Sequence, residues 1–218
     1  MVMLLRSQDD LALDSDTLFL AVNILDRYSS KRTINRCHRR LLGGVALLIA
    51  SKYLNRTDLA SSFCAGRWLF PRHELHDAIQ MEKIVLQTLD YLIGFPSIIG
   101  FMQIELLDCQ QPKLLHDLVL YICELTLFYP EFVAKPSALL AKTAVKIAQS
   151  ALSGGSQHQE AGTSMSDEQK KLHGWILRRL ANPPLFLVSR YTRRRRSSVT
   201  RIMDSYWQKR LSFSHERS

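Results

Sequence analysis

Apolar and polar positions along the chain recur with a helical period, and no convincing strand pattern is present. A short apolar piece, Met1–Leu5, is followed by a polar segment reaching Asp16. Leu18, Ala21, Val22, Leu25 and Tyr28 then fall at helical spacing, predicting a helix capped by Asp14, Ser15 or Asp16 and running to about Tyr28. The basic stretch Lys31–Arg40 reads as a connector with a solvated face. Leu41–Tyr53, LLGGVALLIASKY, is the most apolar run and leaves almost no polar side, so a helix here must be surrounded by other helices. Lys52 closes that run. A lysine ending a buried helix must reach solvent along its stem or find a partner.

Two small segments, Asn55–Ala65 and Trp68–Phe70, come next. Pro71 opens a long helix that carries Ile79, Glu82, Val85, Leu86 and Leu89 to about Tyr91, and Gly94, Phe95 and Pro96 end it. A second block repeats this order of lengths. Ser97–Leu107 is a short helix, Lys113–Phe128 a longer one, and Tyr129, Pro130 and Pro136 make a break. Ser137 then caps Ala138–Ala151, an Ala-rich, mostly apolar helix that parallels Leu41–Tyr53. Ser153–Ser164 reads as a flexible loop. Ser166 with Gln169 three positions on predicts the capped start of a helix to Leu180, which Asn182, Pro183 and Pro184 stop. The fold class is all-α, in two consecutive bundles of about five helices each.

Composition narrows the setting. A chain of 218 residues has room for one large or two small domains. Its longest apolar run falls short of the roughly 18 residues a bilayer span needs, and its start lacks the pattern of a signal peptide. An intracellular protein, nuclear and/or cytoplasmic and without a membrane partner, is expected. Cys37, Cys64, Cys109 and Cys123 form no CxxC pair, so they are expected to fill helix-packing positions as reduced thiols.

The net charge of +9 invites a nucleic-acid reading, so its location matters. From Arg190 onward, nine basic residues face only Asp204 and Glu216, a segment of +7 that leaves about +2 for everything before it. The body is nearly neutral, and nucleic acid is not the expected partner. Within the tail, Arg193–Arg196 followed by Ser197, Ser198 and Val199 has the R-R-x-S-φ form read by basophilic kinases, making Ser198 a candidate phosphorylation site. Phosphate there would add about −1.5 to −2 charges beside the arginines. The same run also fits a nuclear-localisation patch or a solvated helix face.

Catalytic patterns are missing. The sequence contains no glycine-rich phosphate loop, no HExxH and no paired carboxylates on an apolar face. His73 and His76 lie one turn apart without a third ligand, so no metal is expected. The chain reads as a non-enzyme with no catalytic residue, cofactor or small-molecule substrate.

Three stretches in order, TLFLAVNILDRY, LLGGVALLIASKY and QMEKIVLQTLDYLIGFP, resemble the signature helices of a cyclin box over Thr17–Pro96. LYICELTLFYPEFVAKPSALLAKTAVKIA is similar to the C-terminal cyclin repeat, and the pattern is nearest to mitotic A- and B-type members. The resemblance implies a tandem cyclin fold: an N-terminal box over 1–95, a second fold over 96–189, and a basic segment, 190–218, ending it. It further implies that the chain begins within the first box helix. The chain is thus expected to be N-terminally truncated, lacking most of that helix, with Asp26 left without its arginine partner.

The function implied is that of a regulatory subunit binding and activating a cyclin-dependent kinase in cell-cycle control. On the residues alone, Lys52 and Glu82 read as a salt bridge between packed helices. In cyclins the matching pair sits at the kinase-binding face and hydrogen-bonds kinase backbone, and Ile49, Tyr53, Leu86 and Tyr91 match apolar residues lining that face. Arg36 matches half of the groove that docks RxL substrates, where Arg40 replaces a usual glutamine. Leu54 and Asn55 stand where most cyclins carry two glutamates. Two other readings remain open: a cyclin-like scaffold that activates no kinase, and nucleic-acid binding of the transcription-factor-IIB kind.

Overall fold

A computed structural model of the chain describes residues 1–54, 75–107, 112–153, 165–193 and 197–215, and among them every regular element is helical. The expectations for Asn55–Ala65, Trp68–Phe70, the Pro71 helix start, His73, Cys64, Cys109 and the loop beyond Ser153 lie outside the described residues. Two compact units divide the chain, Met1–Ser97 and Ile98–Ser218.

The first unit holds α1 (Val2–Asp10), α2 (Ser15–Lys31), α3 (Arg39–Tyr53) and α4 (Leu75–Thr88). Helix α3 packs against the other three, and every residue from Leu42 to Ser51 is buried, as a helix with no polar face requires. Close approach depends on its glycine. A Cβ added at Gly43 would lie 2.7 Å from Met3 Cε and 3.5 Å from Leu4 Cδ2, so α1 rests directly on the α3 backbone.

The segment after Leu5 departs from the sequence reading. It continues helical to Asp10 and buries Gln8 with Leu4 and Leu5. Gln8 Nε2 donates to the Leu13 carbonyl at 3.2 Å across a turn in which Ala12 takes a φ of 49°. A buried glutamine satisfied by a turn carbonyl carries no hydrophobic signal, which is why the pattern ended too early.

The second unit holds α5 (Ile98–Leu106), α6 (Pro112–Thr126), α7 (Ser137–Leu152), α8 (Asp167–Leu180), α9 (Leu185–Arg193) and α10 (Ser197–His215). Here α7 is central, touching α5, α6, α8 and α10. Ser166 caps α8 by accepting from the Gln169 N–H at 3.2 Å. Ser137 does not cap α7. It is the first helical residue, and Pro136 stands at the cap without a side-chain bond.

Arg190, counted with the basic segment in the sequence, is a core residue of α9, its Nη1 donating to Glu124 Oε2 of α6 at 2.8 Å, with side-chain exposures of 1% and 0%. Tyr191 beside it meets Tyr121 edge to face, ring centroids 4.9 Å apart. At the break before α7, Arg179 clamps Glu131 through two bonds of 2.8 Å and stacks its guanidinium 4.2 Å over the Tyr129 ring. Those hydrogen bonds hold the Glu131 carboxyl below its ordinary value.

Cys123 is buried in α6, but Cys37 is exposed, so the cysteines do not all serve packing. Among the described residues no helix is long and apolar enough to cross a membrane, and no group of His, Cys, Asp and Glu is placed to hold a metal ion.

Candidate functional site

Lys52 sits in the last turn of α3, where its cation faces the negative end of the helix dipole. Its Nζ donates to both Glu82 carboxylate oxygens of α4, at 2.7 and 2.9 Å. The lysine side chain remains 45% exposed and the glutamate 16%. Three donors belong to an ammonium group, and two are spent on Glu82; the third has no hydrogen-bond partner among the described residues.

Around the pair, α4 presents Ile79, Glu82 and Leu86 at i, i+3 and i+7, with Ala78, Val85 and Leu89 turned to the core. Ile79 is exposed and Leu86 half-buried, so apolar surface flanks the ion pair on one helix. Tyr53, 52% exposed, extends from the end of α3. A Cβ added at Gly94 would lie 2.7 Å from its hydroxyl oxygen, so the ring lies close over the Gly94 backbone.

Helix α4 ends at Thr88, three residues before the sequence reading placed it. Asp90 and Tyr91 take left-handed φ values of 54° and 58°. The Tyr91 N–H donates to the Leu86 carbonyl at 2.9 Å and the Asp90 N–H to that of Gln87 at 3.1 Å, a Schellman-type ending that sets Tyr91 beside Leu86. A left-handed tyrosine costs about 1–2 kcal/mol. Two cations of α2 hold the turn against that cost: Lys31 Nζ donates to the Thr88 carbonyl at 2.9 Å and to Asp90 Oδ2 at 3.2 Å, and Arg27 Nη2 donates to the Leu92 carbonyl at 2.6 Å. Tyr91 and Leu92 are left standing in solvent, at 64% and 67% exposure.

Five of the six expected face residues thus lie in one neighbourhood of α3, α4 and the turn after it. Ile49 does not join them as surface. It is 3% exposed and belongs to the core, because α3 buries its whole midsection. The sequence reading missed Ile79 and Leu92 and the clamp from Arg27 and Lys31. The i, i+4 spacing of those two cations was legible, but the turn they hold was not.

A family model, the N-terminal domain of cyclins, matches residues 1–94. Cyclin-B2-2 of Arabidopsis thaliana is 35% identical over 156 residues, covering 71% of this chain and 36% of the relative. G2/mitotic-specific cyclin-2 of Medicago sativa is 33% identical over 154 residues, 69% of this chain and 46% of the relative. Cyclin-A3-2 of Oryza sativa subsp. japonica is 29% identical over 219 residues, 94% of this chain and 53% of the relative.

The chain belongs to the cyclin family. It spans between about a third and a half of the length of these curated relatives. The all-α architecture fits that membership.

Four other residues singled out in the sequence have settings of their own. Arg36, in the 3-10 turn before α3, and Arg40, in its first turn, are both exposed. Ser198 is exposed as the second residue of α10, where a helix N-terminus favours negative charge. Asp26, half-buried in α2, has no hydrogen-bond or ion-pair partner among the described residues, and burial pushes its carboxyl above the ordinary value.

Proposed function

We propose that this cyclin-family chain binds a cyclin-dependent kinase and activates it in cell-cycle control, as a regulatory and not a catalytic component. The observation that carries the reading is the Lys52–Glu82 pair, half open to solvent and flanked by exposed Ile79, Tyr53, Tyr91 and Leu92. A charge pair of this kind fixes orientation more than it adds affinity. Affinity comes from the apolar neighbours, and aromatic side chains such as Tyr53 and Tyr91 are the residue types that dominate interface energetics.

The partner segment that fits is a helix offering apolar side chains and an end with unpaired backbone groups, which Lys52 and Glu82 satisfy. In a protein kinase, the regulatory helix carries the glutamate that must pair with the catalytic lysine. Docking that helix against α3 and α4 selects the conformer in which the pair is closed and the activation loop ordered. Such a complex works inside the cell, in the nucleus and/or cytoplasm.

The test mixes the purified chain with a cyclin-dependent kinase and follows both binding and histone phosphorylation. Binding that Lys52→Ala abolishes, together with activation by the wild-type chain, supports the reading. Binding without activation identifies a scaffold instead. Absence of activation, with binding indifferent to Lys52→Ala, overturns it.

A further inference from the structure

The connector Lys31–Arg40, KRTINRCHRR, carries five full cations, one histidine and no acid. All of those basic side chains are exposed. Lys31 is occupied at the end of α4. Arg32, Arg36, Arg39 and Arg40 have no hydrogen-bond or ion-pair partner among the described residues. A 3-10 turn, Arg36–His38, leads into α3 and sets Arg36, Arg39 and Arg40 at i, i+3 and i+4, the spacing that gathers helical side chains on one side.

This arrangement works against the free chain. Arg39 and Arg40 occupy the first turn of α3, where the helix dipole disfavours a cation. No acid stands in that turn and no side chain caps it. The guanidinium groups of Arg36, Arg39 and Arg40 repel one another, with nothing among the described residues to neutralise them. An anionic partner relieves all of these terms at once.

Several features choose among anions. Helix α3 is buried from Leu42 to Ser51, so it cannot lie in a DNA groove and offers only its first turn. The connector holds no Phe, Tyr or Trp on which unpaired bases could stack. Guanidinium forks bind carboxylates, as they do phosphates, with two parallel hydrogen bonds, so the buried body of α3 and the lack of those stacking side chains are what set nucleic acid aside. We infer that Arg32, Arg36, Arg39 and Arg40 form a docking surface for an Asp- and Glu-rich peptide segment of a partner protein. Arg36 by itself fits the RxL groove that it resembles, but Arg40, standing where a glutamine is usual, adds a cation beside it and Arg39, and like charges brought together select against an incoming arginine. This docking surface is separate from the Lys52–Glu82 pair and does not depend on kinase binding.

Fluorescence anisotropy of the full chain with a labelled Asp/Glu-rich peptide tests this, beside an Arg-x-Leu peptide, a DNA duplex and a single strand. The acidic peptide is expected to bind best, and the triple variant Arg36→Glu, Arg39→Glu, Arg40→Glu to lose about tenfold or more in affinity, with the loss shrinking as salt rises. Arg193→Glu, in the other basic run, should leave peptide affinity within about twofold. The triple variant should also melt no lower than wild type, since it places acids in the first turn of α3. Replacement by Gln gives the same ranking without new charge. Equal peptide affinity in wild type and triple variant, tighter binding of either DNA than of the peptide, or loss of binding only on Arg193→Glu overturns the inference.

Discussion

Lys52 Nζ lies 2.7 and 2.9 Å from the two carboxylate oxygens of Glu82, joining α3 to α4 across thirty residues of sequence. The lysine is nearly half exposed, so the bridge adds only about 0–1 kcal/mol to the fold. Exchanging the charges, Lys52→Glu with Glu82→Lys, keeps an ion pair but inverts what a partner meets. Chemical denaturation should place the exchanged protein within about 1 kcal/mol of wild type, while kinase binding by calorimetry should remain lost. Restored kinase binding would mean that the pair acts only within the chain.

Burial separates two residues that sequence alone placed together. Ile49 is a core side chain, and Ile49→Ala should cost about 2–5 kcal/mol in denaturant titrations. Tyr53 stands in solvent, and Tyr53→Ala should change stability by less than about 0.5 kcal/mol. Its kinase affinity should fall about tenfold, as for an aromatic contact residue.

In the second unit the buried Arg190–Glu124 pair predicts a strong asymmetry between single and double replacement. Arg190→Met leaves a carboxylate buried without its guanidinium and should destabilise by about 3–5 kcal/mol. Arg190→Met combined with Glu124→Leu should recover most of that loss, because two apolar side chains of similar volume carry no desolvation penalty. Urea unfolding of the four proteins of the cycle measures the coupling.

Asp26 predicts a pH effect of defined sign. Burial raises its carboxyl above the ordinary aspartate value of 3.8. A raised folded-state value means that the favourable contribution is complete below 3.8 and is lost as pH rises through the folded value. At neutral pH the carboxylate is therefore a burden, and Asp26→Asn should raise the melting temperature. The gap between variant and wild type should close below pH 3.8. A gap of constant size across the titration would show that charge on Asp26 is irrelevant to folding.

The hydrophobic pattern of this chain determined a good deal by itself. Leu41–Tyr53 could only be an enclosed helix, the Ala-rich α7 could only be its counterpart, and Ser166 with Gln169 could only open α8, because period, small side chains and capping chemistry are local properties. Lys52 and Glu82 were legible as partners from the order of the signature helices. Tertiary structure decided the rest. It drew Arg190 into the core against Glu124, sank Ile49, turned the backbone left-handed at Asp90 and Tyr91, and brought Arg27 and Lys31 onto the end of α4. Each of these depends on a partner tens of residues away. Charge and hydropathy say what a side chain requires, but only the packing of helices says which distant group meets that requirement.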